Sequence, residues 1–192
     1  MFQIRNASVA DFDSLCDIDN DASALFVAAG LDLESADAHE FERAERECWL
    51  KCLAAGSGWI AIDPNNQPVG FAAMSLLDGE PYLQQISVRT RFMRRGIGRS
   101  LIARITQAAL EASHSRLWLT TYTHLPWNRP FYERFGWVLV PEHGCRPELR
   151  AVFDHEQRWL PQPENRVVMC KRLSGLRCPH PPEPGGTGRR IT

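Results

Sequence analysis

No stretch of the sequence reads as a segment that carries proteins into or across membranes. No apolar run reaches the ~18 residues needed to span a bilayer. Met1-Phe2-Gln3-Ile4-Arg5-Asn6 has no apolar signal core. A cytoplasmic protein is the expectation, with no membrane partner. Net charge is lacking too: 22 basic residues against 23 acidic ones give −1, which argues against a dedicated nucleic-acid binder. The six cysteines (16, 48, 52, 145, 170 and 178) show no metal-ligand spacing. Cys48 and Cys52, four apart on one helix face, make at most a two-thiol half-site. Free thiols in a reducing cytosol are the better reading, and no metal is expected. No internal repeat is visible. A length of 192 residues suits one domain with a genuine core.

What charge there is lies unevenly. Positions 1 to 56 hold twelve acidic residues against Arg5, Arg43, Arg46 and Lys51. Positions 89 to 116 hold seven arginines against Glu111 alone. The middle of the chain therefore suits an anionic ligand. The N-terminal part suits a cationic one, or is simply a set of solvated helix faces.

The arginine-rich stretch has a definite setting. A predicted strand, Tyr82 to Val88, leads into Arg94-Arg95-Gly96-Ile97-Gly98-Arg99-Ser100, and a helix from Leu101 to Ala112 follows. Strand, glycine turn and helix together bind pyrophosphate through turn amides and the positive helix N-terminus. Gly-Lys-Ser/Thr is missing, so this is no Walker loop. A third glycine is missing at position 101, so it is no dinucleotide fingerprint either.

Periodicity supplies the remaining elements. Phe2 to Arg5 alternates as a strand. Ser8 or Asp11 caps a helix carrying Phe12, Leu15, Cys16 and Ile18 on its apolar side. Residues 28 to 38 read as loop and Ala38 to Ala55 as a second helix, stopped by Gly56. Trp59 to Ile62 and Val69 to Leu76 form a hairpin across Asp63 to Pro68, and Asp78 to Pro81 turns into the next strand. Arg116 to Tyr122 is a buried strand. Asn128 is an N-cap for a short helix, Arg129 to Phe135, that stops at Gly136. Trp137 to Val140 is a strand, Pro147 to Glu156 a helix and Arg166 to Arg172 a closing strand. The order predicts an α+β fold around a mixed sheet. Residues 1–173 form the domain, and 174–192 read as a disordered Pro/Gly-rich tail.

Two segments resemble the motifs of the GNAT N-acetyltransferase superfamily. Ile86-Ser87-Val88 with Arg95-Gly96-Ile97-Gly98-Arg99-Ser100 resembles motif A, the acetyl-CoA pyrophosphate loop. Asn128-Arg129-Pro130-Phe131-Tyr132 with Gly136-Trp137 resembles motif B. Met93 stands where motif A has Gln or Arg, and Trp137 where motif B has Phe. The resemblance covers roughly residues 2 to 172. It implies a mostly antiparallel central sheet flanked by helices in three layers, and acetyl-CoA as cosubstrate.

The resemblance also assigns roles. Ile86, Ser87 and Val88 run beside the pantetheine. Arg94, Arg95, Gly96, Ile97, Gly98, Arg99 and Ser100 hold the pyrophosphate, and Asn128 bonds the pantetheine arm. Tyr132 donates a proton to the departing CoA thiolate. The expected activity is direct acetyl transfer to a primary amine of a small molecule or peptide. The alternative is a non-catalytic acyl-CoA-binding regulatory module of the same fold. A lysine-like ammonium at pH 7 must lose a proton first, at a cost of roughly 4–5 kcal/mol. Many relatives use a strand glutamate for this; Gln84 and Gln85 occupy those positions here. Glu80, His124 or water remain candidates for the base. Asp17, Asp19 and Asp21 are candidates to attract the acceptor, and Trp127 and Tyr122 to line its pocket. Acyl length and a homodimer are left open.

Overall fold

Strand residues send alternate apolar side chains to two faces, and helices cover both. The computed structural model describes residues 2–33 and 36–173; the stretch read as a tail, 174–192, lies outside the described residues. The strands are β1 (Gln3–Asn6), β2 (Gly58–Ile62), β3 (Pro68–Leu77), β4 (Glu80–Val88), β5 (Arg116–Tyr122), β6 (Trp137–Val140) and β7 (Arg166–Arg172). They form one sheet in the order β1-β2-β3-β4-β5-β7-β6. Among the described strands only β4 and β5 run parallel; the other neighbours are antiparallel. This is the mixed, mostly antiparallel sheet that the sequence predicts.

The helices are α1 (Phe12–Ala28), α2 (Ala36–Ala54), α3 (Ile97–Glu111), α4 (Arg129–Glu133) and α5 (Pro147–Trp159). On α3, Ile97, Leu101, Ile102, Ile105 and Ala109 pack against Trp59, Ala61, Ala72 and Leu117. The intervening Ile60 and Phe71 face the other way, onto Leu15 and Ile18 of α1 and Trp49 and Leu53 of α2. Leu149 and Phe153 of α5 join that second face over Tyr82 and Trp118. The result is three layers, helix on sheet on helix. Each fully buried Leu, Ile or Phe contributes roughly 1.5–3 kcal/mol. Among the described residues no helix is long and apolar enough to cross a membrane.

Two local features set up the site. The β3–β4 hairpin turns on Asp78 and Gly79 alone, both with positive φ (52° and 74°), as a primed turn requires. Glu80 and Pro81 therefore belong to β4 rather than to the turn. Further along, Leu83 pairs with Met74 and Gln85 with Ala73, so Gln84 is an extra, unpaired residue. This bulge reverses the alternation of the strand. Tyr82 and Gln84 before it, and Gln85 and Ser87 after it, all border one cavity. Smaller differences lie at helix ends: α4 stops at Glu133 and α5 continues to Trp159. Among the described residues Cys16, Cys48, Cys52, Cys145 and Cys170 are unpaired.

Candidate active site

Strands β4 and β5 share a single registered pair, Tyr82 with Trp118, and then diverge. Beyond that point the β4 edge facing β5 has no strand partner among the described residues, so its peptide groups are open to a ligand. Ile86, Ser87 and Val88 lie on this stretch. They pair on the other side with Ala72, Phe71 and Gly70 of β3. A cavity of about 670 Å³ fills the fork, with α1 and α2 as its roof.

The glycine loop follows β4 directly. Arg89 N–H donates to the Val69 carbonyl (2.9 Å), and Thr90 N–H to the Asp21 carboxylate (2.5 Å). Arg94 and Gly96 take left-handed backbone, φ 58° and 85°. Gly96 is the N-cap of α3, and Ser100 N–H is the first amide to bond back, to the Gly96 carbonyl at 3.0 Å. The amides of Ile97, Gly98 and Arg99 thus open the helix without intrahelical acceptors. The Ile97 side chain is buried, so only its backbone is available to a ligand. The Arg94, Arg95 and Arg99 side chains are exposed, and the Arg95 guanidinium lies 5.1 Å from the Phe92 ring centre. Full and partial positive charge coincide at this helix end.

The second motif packs onto the first. The Phe131 ring lies 3.4 Å from where a Cβ on Gly98 would stand. Tyr132 is buried between Phe131 and Trp137, with ring centres 5.4 and 5.9 Å away, and borders the cavity. Among the described residues its hydroxyl has no hydrogen-bond partner, and burial pushes its pKa well up, so it stays protonated at neutral pH. Asn128 caps α4 with its carbonyl, which accepts from Phe131 (2.9 Å) and Tyr132 (3.1 Å) N–H groups. Its side chain makes no capping bond and borders the cavity instead. The expected side-chain cap is therefore replaced by a main-chain one.

The sequence profile of the acetyltransferase (GNAT) family matches residues 16–137. The chain belongs to that family. Its fold is similar to that of N-acetylglutamate synthase from Neisseria gonorrhoeae, solved with coenzyme A and N-acetyl-glutamate. The TM-score is 0.67 at 17% identity, over 91% of this chain and 36% of the longer one. It is also similar to the PaiA N-acetyltransferase from Thermoplasma acidophilum in complex with coenzyme A, with TM-score 0.65 and 14% identity over 90% and 99% of the two chains. The ribosomal-protein-S18-alanine N-acetyltransferase from Escherichia coli gives TM-score 0.59 and 15% identity over 92% and 96%.

Within this GNAT domain several of the residues expected to serve the acceptor lie elsewhere than the sequence suggests. Glu80 lies outside the cavity, taking the Trp118 indole N–H and pairing with Arg146 at 3.7 Å. His124 is exposed and packs edge-on to Tyr122. Of the three aspartates only Asp19 borders the cavity; Asp21 pins Thr90, and the Asp17 carbonyl accepts from Arg89. Tyr122 does line the wall, whereas Trp127 stands behind Phe26.

Asp19, one of the expected candidates, and three residues the sequence reading passed over, Glu45, Glu156 and Arg166, border the cavity. Asp19 accepts hydrogen bonds from Ser87 Oγ and Gln85 Nε2, each 2.6 Å, and burial raises its pKa. Glu45 of α2 accepts from Gln84 Nε2 at 2.8 Å. Burial pushes Glu45 up to about 7, against the opposing pull of the Gln84 bond; the nearby Glu156 carboxylate adds to the rise. Below them Glu156 and Arg166, both buried, form an ion pair, and Thr120 Oγ1 donates to Glu156 at 2.6 Å. The one sequence signal for Glu45 is its spacing: it stands four residues before the buried Trp49 and eight before Leu53.

Proposed function

We propose that this GNAT chain is an acetyl-CoA-dependent N-acetyltransferase that moves acetyl directly onto a primary amine of a small molecule or peptide. The observation carrying this reading is one open strand edge, Gln84 to Val88, bordered by three different chemistries. At its C-terminal end lies the cationic opening of α3, suited to a pyrophosphate. Beside it lies the Tyr132 phenol, suited to protonate a thiolate. On its far side lie the carboxylates of α1 and α2, suited to an ammonium.

The pantetheine arm then runs along β4 as an added strand-like partner, with Asn128 bonding it from the other wall. A β4 amide polarises the thioester carbonyl. The amine lone pair attacks that carbon, the C–N bond forms and the C–S bond breaks. Tyr132 gives its proton to the CoA sulfur and regains one from the new amide nitrogen. The five cysteines among the described residues are free thiols, which suits a reducing, cytoplasmic setting.

Calorimetry with acetyl-CoA, followed by mass spectrometry of reactions with alkyl amines, diamines, amino acids and short peptides, tests the reading. Binding and an N-acetylated product are expected. Binding without product on any amine favours an acyl-CoA-binding module instead.

A further inference from the structure

We propose that Glu45 is the general base of the acetyl transfer, a proposal that rests on the reading above. The proton acceptor is thus carried by a helix and held by the strand. The bulge at Gln84 turns two consecutive β4 side chains, Gln84 and Gln85, toward the helices. The Gln84 amide is fixed at both ends. Ser75 Oγ donates to its oxygen at 2.9 Å, which commits its NH₂ group to Glu45 Oε2. A glutamine cannot titrate, but here it places a carboxylate that can.

The neighbours separate Glu45 from the other acids of the cavity. The Asp19 Oδ1 atom already takes two donors, Ser87 and Gln85. Glu156 is neutralised by Arg166 and bonded by Thr120. Glu45 has no cationic partner at contact distance among the described residues. The groups that face it are Asp19 from α1, Tyr82 from β4, Glu156 from α5 and Arg166 from β7, with Cys48 and Cys52 on its own helix. A carboxylate withdrawn from water with no cation at contact distance takes a proton readily near neutral pH.

The step balances. A substrate ammonium gives one proton to the Glu45 carboxylate, leaving a neutral amine and a neutral carboxyl group. The amine attacks acetyl-CoA, and after product leaves Glu45 returns the proton to solvent. Gln84 is a positioning residue.

The test is the pH profile of kcat/KM for wild type, Glu45→Gln and Gln84→Met, using whichever panel amine wild type acetylates. Wild type is expected to show an acidic limb near pH 7. Glu45→Gln, nearly isosteric, should lose about 100-fold or more in kcat/KM along with that limb. Its acetyl-CoA affinity should match wild type, which also shows that it folds. Gln84→Met removes a bond that favours the charged form, so its limb should move to higher pH. Turnover and profile unchanged in Glu45→Gln would overturn the base while leaving the transferase reading intact. Wild type that binds acetyl-CoA and acetylates no amine would overturn both.

Discussion

Gln84 on β4 donates a 2.8 Å hydrogen bond across the cavity to Glu45 on α2. Through it, a strand without a single carboxylate between Pro81 and Val88 still presents one to the cavity.

This relationship has a cost that can be measured. The fold lifts Glu45 from 4.5 to about 7, so folding favours its protonated form. That contribution is complete below about pH 4.5 and is lost as pH rises through 7. Glu45→Gln removes the dependence. Its stability relative to wild type should climb between pH 5 and 8, by on the order of 2–3 kcal/mol. Urea denaturation at both pH values checks this; a constant difference would mean that Glu45 ionises normally.

Tyr132→Phe should cut turnover by about 10²–10⁴-fold, the usual scale for losing a positioned proton donor. Acetyl-CoA affinity should hardly change, because the ring keeps its contacts with Phe131 and Trp137. Single-turnover kinetics with calorimetry separates the two quantities. Unaltered turnover removes Tyr132 from the chemistry.

Gly96 and Gly98 should respond differently to alanine. Gly96 needs φ 85°, so Gly96→Ala should cost roughly 1–2 kcal/mol although a methyl group there meets nothing. Gly98 sits inside α3, and its new Cβ would touch Phe131 at an ordinary 3.4 Å. Gly98→Ala should be neutral or stabilising by up to ~1 kcal/mol. Gly96→Val should lose acetyl-CoA binding in calorimetry; wild-type affinity would contradict the placement of the pyrophosphate.

Arg166→Met strands the buried Glu156 carboxylate, which should cost about 3–5 kcal/mol. Adding Glu156→Gln should recover much of it, since the uncompensated charge is then gone. Chemical denaturation of both variants measures the recovery. Equal losses in the two would mean that Arg166 matters for packing over Tyr122, 4.7 Å away, rather than for charge.

The glycine loop and the helix it opens were legible in the sequence because their signals are local. The glycines, the N-terminal turn of α3 and the Leu101, Ile102, Ile105, Ala109 stripe lie within one short stretch. The carboxylate wall of the cavity was not, because it depends on pairing between distant strands. Nothing near Gln84 announces a bulge; it emerges from the register of β4 on β3. Glu45 stands among Glu40, Glu42 and Glu47 and reads as one more solvated helix charge. Asp17 and Asp21 look equivalent to Asp19 until α1 is seated. Its rotation sends Asp21 to the glycine loop and Asp19 to Ser87.

The central claim is that one cavity joins an acetyl-CoA site to an amine site. Mass spectrometry of acetyl-CoA reacted with the amine panel, wild type beside Tyr132→Phe, tests it most directly. An N-acetylated amine from wild type, and far less from the variant at equal acetyl-CoA occupancy, is the predicted result. Acetyl-CoA bound by wild type with no amine acetylated above the enzyme-free reaction would contradict it.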